Sequence, residues 1–334
     1  MLSLPPLSAS IPSPPLSEFT FGSEWTMFGM TFGPFSIRFY ALFILVGIVV
    51  AAIMTNRRLT RRGAEPWVVI DIALPAVVLA MIGARAYHVL THWGFYFAGG
   101  REWWNPFEQD AIWNIWDGGI AIFGALLGGA LGAWLGCRWT GVRFSAFADA
   151  LAPGLLLAQA LGRLGNWFNQ ELFGLPTDLP WGLEIDAGNP AIPAGLPENT
   201  LFHPTFLYEV IWNTLGAIVL LWLGRRASMQ WGRLLAVYLI WYGSGRVVWE
   251  SIRIDPSEVF FGLRTNVWAA IAAVLLGVVL LFVLRRHKGT EPSVYRNTKH
   301  GRNVTDLGSD DDFVDISDPA DDDEIVELSP ERTP

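Results

Sequence analysis

The chain has 334 residues, of which 52% are hydrophobic and only 16% charged, and it carries 17 tryptophans. Soluble domains carry about 25% charged residues, so this composition calls for a surface that faces lipid, with indole rings at the membrane–water interface. The formal net charge of -8 arises mainly in one acidic tail, and the remainder is close to neutral or mildly basic, so nothing points to a nucleic-acid partner.

In chain order, residues 1–37 are rich in Pro and Ser, and their only charges are Glu18 and Glu24. A cleaved signal peptide starts with basic residues before a short apolar core, and this segment lacks them. It is read as an extracytoplasmic N-terminal segment. About seven runs then approach the ~20 apolar residues that cross a bilayer. They fall at 39–55, 67–90, 118–136, 144–165, 204–224, 234–252 and 266–284. The third is dense in glycine (Gly118, Gly119, Gly124, Gly128, Gly129, Gly132), which suits close helix packing. Cys137, the single cysteine, excludes an internal disulfide and reads as a small residue near a membrane face. The segments 91–117 and 166–203 are long loops. Residues 287–334, with Asp310–Asp312 and Asp321–Glu324, read as a disordered acidic tail.

Basic residues set the expected orientation. Arg57, Arg58, Arg61 and Arg62 follow the first run, Arg138 and Arg143 the third, Arg225, Arg226 and Arg233 the fifth, and Arg285, Arg286 and Lys288 the last. These are alternate loops, so they share one side, the cytoplasm. The expected fold is an all-α integral membrane protein of about seven spans, N-terminus outside and C-terminus cytoplasmic, with 38–286 as the membrane unit.

Four arginines oppose this bias: Arg85, Arg163, Arg246 and Arg253 lie toward the outer ends of runs, with Asp117, Glu171, Glu209 and Glu250 nearby. Charge inside a membrane marks function by default, and guanidinium forks suit phosphate oxygens. A phospholipid headgroup is therefore the expected ligand. Arg246 and Glu250, one turn apart, fit a structural ion pair equally well. His88 and His92 are four apart, but no acidic partner accompanies them, so they read as interface histidines and no metal or cofactor is expected.

Three stretches concentrate the polar residues. They are Gly-Arg-Leu-Gly-Asn-Trp-Phe-Asn-Gln-Glu at 162–171, His-Pro-Thr-Phe-Leu-Tyr-Glu at 203–209, and Tyr-Gly-Ser-Gly-Arg-Val-Val-Trp-Glu-Ser-Ile-Arg at 242–253. In the last, Tyr242, Arg246, Glu250 and Arg253 recur at helical spacing and form one polar stripe.

Together these stretches resemble the signatures of the prolipoprotein diacylglyceryl transferase family. Ile37-Arg38-Phe39-Tyr40, Gly83-Ala84-Arg85 and Trp116-Asp117-Gly118-Gly119 are similar to further family motifs, and the resemblance spans about residues 25–285. It implies a bacterial inner-membrane transferase without a cofactor. Such an enzyme moves the diacylglyceryl group of phosphatidylglycerol to the lipobox cysteine of a prolipoprotein signal peptide. It implies Arg163 and Arg246 as the groups that handle phosphate, with His203, Glu209 or Tyr40 relaying the thiol proton. Asn166, Asn169, Glu171, Arg85, Asp117, Tyr208, Tyr242, Glu250 and Arg253 complete the expected substrate site. Many family members carry His-Gly-Gly after the Asp-Gly-Gly; here the stretch is Phe123-Gly124-Ala125, so no catalytic histidine is carried over there. An anionic-lipid transporter would use the same arginines, and a scaffold held by ion pairs is the third reading.

Overall fold

A computed structural model describes residues 10–296, except 28–29, 98–102, 106–110, 116–117, 198, 228, 256 and 288–292. Its long helices are α1 (Phe39–Thr60), α2 (Val68–Thr91), α4 (Ile122–Thr140), α5 (Phe144–Phe168), α6 (Thr205–Arg226), α7 (Arg233–Ser251) and α8 (Thr265–Leu284), with a short α3 (Trp93–Phe97) after α2. Six of the seven long helices are long and apolar enough to cross a membrane; α7 falls outside that set. Its polar stripe lowers its hydropathy, yet it packs along α8 and against α5 and α6. Large apolar side chains such as Leu74, Leu127, Ile218 and Phe282 point outward, as a lipid-facing surface requires.

Close backbone approach organises the bundle. In α4, Gly124, Gly128, Gly132 and Gly136 form a seam on α2; a Cβ at Gly136 would lie 2.8 Å from Ile72 Cα. Small residues allow this contact, which dispersion and packing stabilise where no hydrophobic force acts between helices. The glycine-rich run is thus a packing surface. α1 packs on α5, α6 joins α5 to α7, and α7 pairs with α8. The α2–α4 pair meets α1 and α5 only lightly. That junction includes a core of Leu59, Val69, Ile72, Cys137, Val142 and Ala146, near the basic end. Cys137, in the last turn of α4, is fully buried there.

Three local features differ from expectation. The third span begins at Ile122 rather than 118, because Gly118 and Gly119 take left-handed φ values of 96° and 69°. α5 runs on to Phe168, past the expected end at 165 and through Asn166. Residues 18–38, where the sequence reading places no element, form two antiparallel ribbons, β1 (Glu18–Phe21) with β4 (Phe35–Arg38) and β2 (Trp25–Met27) with β3 (Met30–Phe32). The stretch expected as disordered tail is also anchored at 293–296. Arg143 N donates to Val294 O at 2.8 Å, Arg296 N to Gly141 O at 2.9 Å, and Val294 and Tyr295 are buried. The acidic part of that tail lies outside the described residues.

The loop 166–203 folds as a cap. Phe173, Leu183, Phe202 and Phe206 form its core, with Ile11 of the N-terminal segment packed against them. A last hairpin, β5 (Val259–Phe260) and β6 (Leu263–Arg264), leads into α8.

One buried carboxylate fixes the start of α7. Asp149 of α5 accepts bonds from Gly232 N at 2.8 Å and Leu235 N at 2.9 Å. It thereby satisfies amides that a helix N-terminus leaves open and meets the positive end of its dipole. Asp149→Ala should destabilise the protein by about 1–3 kcal/mol, read as a lowered melting temperature in detergent; an unchanged melt would remove this role.

Candidate active site

The site begins where α5 ends. Asn169 N and Glu171 N donate to the carbonyls of Gly165 and Asn166 at 3.1 Å each, and Gln170 takes φ 49°. This left-handed residue closes the helix and folds Glu171 back over the last turn. There its Oε1 accepts from Asn166 Nδ2 at 2.7 Å and Asn169 Nδ2 at 3.3 Å. The Asn-x-x-Asn-x-Glu spacing is therefore the spacing of one closed helix end.

From this end an unbroken polar chain crosses four helices. Asn166 Oδ1 accepts from Arg163 at 3.2 Å, and Arg163 Nε pairs with Glu209 Oε2 of α6 at 2.8 Å. The same oxygen lies 3.8 Å from Arg246 Nη1 of α7. Arg246 Nη2 pairs with Glu250 Oε2 at 2.8 Å, and Glu250 also pairs with Arg253 at 3.0 Å and Arg264 at 3.2 Å. Its Oε1 takes a further bond from Asn266 of α8 at 2.9 Å. Asp255 closes the chain by pairing with Arg253 and Arg264, each at 2.8 Å. Burial is graded along it. The side chains of Glu209 and Glu250 are 4% and 0% exposed, whereas those of Arg163 and Arg246 keep 15% and 16%.

The α6–α7 contact sets this geometry. Trp212 Nε1 donates to Trp241 O and Trp241 Nε1 to Trp212 O, both at 3.0 Å, with ring centroids 4.7 Å apart. Each ring lies over a glycine of the opposite helix: a Cβ on Gly216 would fall on the Trp241 ring, and one on Gly245 on the Trp212 ring. This mutual fit fixes which turn of α7 faces Glu209.

Other expected residues surround the chain or stand apart from it. Tyr40, in the first turn of α1, packs on Gly165, and a Cβ there would lie 2.8 Å from its ring. His203 Nδ1 lies 3.2 Å from the Tyr208 hydroxyl, which also accepts from Trp181 at 3.1 Å. Its recorded partner is thus Tyr208, one residue before Glu209, and not an arginine. Tyr242 stacks on Tyr238 with centroids 5.9 Å apart. Glu171 reaches Arg163 only through Asn166, so it orients amides rather than a guanidinium.

Arg85 is placed differently from its expected role. Its guanidinium donates to the carbonyls of Ala111, Ile112, Gly118 and Gly119 at 2.7–3.1 Å and lies over the Tyr96 ring. All its nitrogens are occupied by backbone, so it holds the loop before α4 instead of presenting a fork to a ligand. Asp117 lies outside the described residues. Phe123 sits beside Tyr87, ring centroids 6.1 Å apart. Sequence reasoning passed over Asp255, Arg264 and Asn266. Arg264 carried a readable signal, because it precedes the last span on the side opposite the basic loops.

Comparison with known proteins agrees with this arrangement. A family model described as prolipoprotein diacylglyceryl transferase matches residues 27–283. Three similar proteins are each named phosphatidylglycerol–prolipoprotein diacylglyceryl transferase. That of Leifsonia xyli subsp. xyli is 64% identical over 86% of this chain and 84% of its own length. That of Cutibacterium acnes is 46% identical over 84% and 88%, and that of Streptomyces griseus subsp. griseus 45% over 75% and 74%. The chain belongs to the prolipoprotein diacylglyceryl transferase family.

Proposed function

We propose that the Arg163–Glu209–Arg246 junction is the phosphate-handling centre of a phosphatidylglycerol–prolipoprotein diacylglyceryl transferase. The protein is a multi-pass bacterial membrane enzyme that catalyses the first step of lipoprotein maturation. A cysteine sulfur attacks the glyceryl carbon next to the phosphate of phosphatidylglycerol. The carbon–oxygen bond breaks, its electron pair goes to the phosphate oxygen, a thioether forms, and glycerol 1-phosphate leaves. The thiol proton passes to a base.

The single observation that carries the residue assignment is the graded burial of the chain. Two guanidinium groups from different helices converge on one carboxylate and stay partly exposed, while the acids that orient them are sealed beneath. Donors already in place stabilise charge as it develops on a leaving phosphate, without reorganisation at the moment of reaction. The same positive charge favours the thiolate over the thiol. Asn166 and Asn169 supply neutral donors beside Arg163. Tyr40, His203 and Glu209 are the candidate proton acceptors, and His203 would act with Tyr208. Tyr242 stands one turn before Arg246 on the same helix and packs on Tyr238. Arg253 is held by Glu250 and Asp255 and supports the centre from behind.

In this reading the basic loops face the cytoplasm, as positive charge in short loops favours. The active end faces outward, with residues 1–37 outside and the acidic tail inside. The transporter reading has no support from the three relatives compared above, each named as a transferase.

Arg163→Ala and Arg246→Ala should each lower transfer to a lipobox peptide by at least about 100-fold, measured by mass spectrometry, while the protein still inserts; near-normal turnover would take that arginine out of the centre. His203→Ala should slow transfer and remove one limb of the pH–rate profile, and an unaltered profile would exclude it as the base. Glu250→Gln leaves three guanidinium groups facing a neutral amide. A loss of about 3–5 kcal/mol follows from breaking such a buried set, and a wild-type melting temperature would contradict it.

A further inference from the structure

At the end of the bundle opposite the ion-pair chain, α1 and α6 both pack on α5 but scarcely on each other. The gap is a cavity of about 520 Å³. Its deep walls are apolar, Val50, Ile53 and Met54 from α1 and Leu221 from α6, with Ala150 of α5 as floor. Its mouth is cationic, lined by Arg57, Arg58, Arg61, Arg62 and Arg225. The one carboxylate in the lining, Asp149, already accepts two bonds from the start of α7. Arg58 donates to Asp149 O at 3.2 Å, but its Nε is buried and has no hydrogen-bond partner among the described residues. Gly224 opens the α6 wall beside that guanidinium: a Cβ there would lie 3.4 Å from Arg58 Nη2.

Positive charge in loops explains arginines at this end, but not a buried, unsatisfied guanidinium N–H at the top of an apolar groove. An unmade bond of that kind is costly, and a phosphate oxygen would satisfy it. From Val50 to Arg57 the helix rises about 10 Å, which accommodates a large part of one acyl chain below the arginines.

We propose that this groove is a second anionic-phospholipid site, in the leaflet opposite the active centre. The lipid phosphate would sit on Arg58, ringed by Arg57, Arg61, Arg62 and Arg225, with an acyl chain between α1 and α6. The bound lipid fills a gap between the helices that carry Tyr40 and Glu209 at their other ends. No chemistry occurs there, so the site stands apart from the transfer reaction.

The test uses the full-length protein in phosphatidylcholine nanodiscs containing phosphatidylglycerol with a diazirine on one acyl chain. Photolabelled peptides are mapped by mass spectrometry. Adducts are expected on residues 50–54 and 221–225, besides any at the active centre. Unlabelled phosphatidylglycerol should displace them; added phosphatidylcholine and millimolar inorganic phosphate should not. Removing a guanidinium should weaken the competition about fivefold for each arginine lost, in Arg58→Ala and in the exposed rim variant Arg61→Ala/Arg225→Ala. The rim variant keeps the test valid if Arg58→Ala does not fold. Labelling of this groove should persist in Arg163→Ala. Equal displacement by phosphatidylcholine would mean a groove filled by any lipid, and displacement by inorganic phosphate a site for a free anion. Either result, or the absence of adducts there, would overturn the proposal.

Discussion

Glu250 has no exposed side-chain surface, and three arginines and an asparagine converge on it from α7, the turn after it, the β5–β6 hairpin and α8. The rest of the active end depends on that convergence. A carboxylate buried without partners is costly; bonded to three guanidinium groups and an amide, it dictates where they sit. Arg246 is thereby held with one edge on Glu250 and another toward Glu209, where Arg163 arrives from α5. The chain pairs four arginines with Glu171, Glu209, Glu250 and Asp255, directly or through Asn166, so the low-dielectric interior carries little uncompensated charge. A phosphate that enters can exploit the outward edges without the protein first having to assemble them. Such a network adds little to stability relative to an apolar core, and its retention at the membrane-embedded end of four helices accords with a role in binding.

Much of the scaffold was legible in the sequence. The seven helices lie close to the apolar runs, because in lipid a long run must satisfy its own backbone bonds and the helix does so internally. The errors have local causes. The third span starts late because Arg85 draws the carbonyls of Gly118 and Gly119 out of helical geometry. The ribbons of residues 18–38 escaped notice because short strands with exposed side chains carry no burial alternation.

The site was legible to a lesser extent. Arg163, Glu209, Arg246, Glu250 and Arg253 could be singled out because charge in an apolar run is conspicuous. Their partners could not be derived, since pairing across four helices is set by packing that leaves no mark in spacing along one chain. Arg85 shows the limit most clearly. Its sequence context is similar to that of Arg163: each arginine follows a glycine, by two residues and by one, near the outer end of a span. Yet one is saturated by backbone carbonyls and the other faces carboxylate and amide. Only the fold of the neighbouring loop separates them.

The paired tryptophans bear on how the enzyme can move. Shifting the α6–α7 register by one residue along the helical screw combines a rise of about 1.5 Å with a turn of about 100°. It would break both indole bonds and drive each ring into a backbone now accommodated only by glycine. The two helices are therefore held as one body in a single register, which sets the spacing between Arg246 and Glu209. Conformational adaptation to substrates as bulky as a phospholipid and a signal peptide must then fall to the elements around that body. The α2–α4 pair, which meets α1 and α5 only lightly, is such an element.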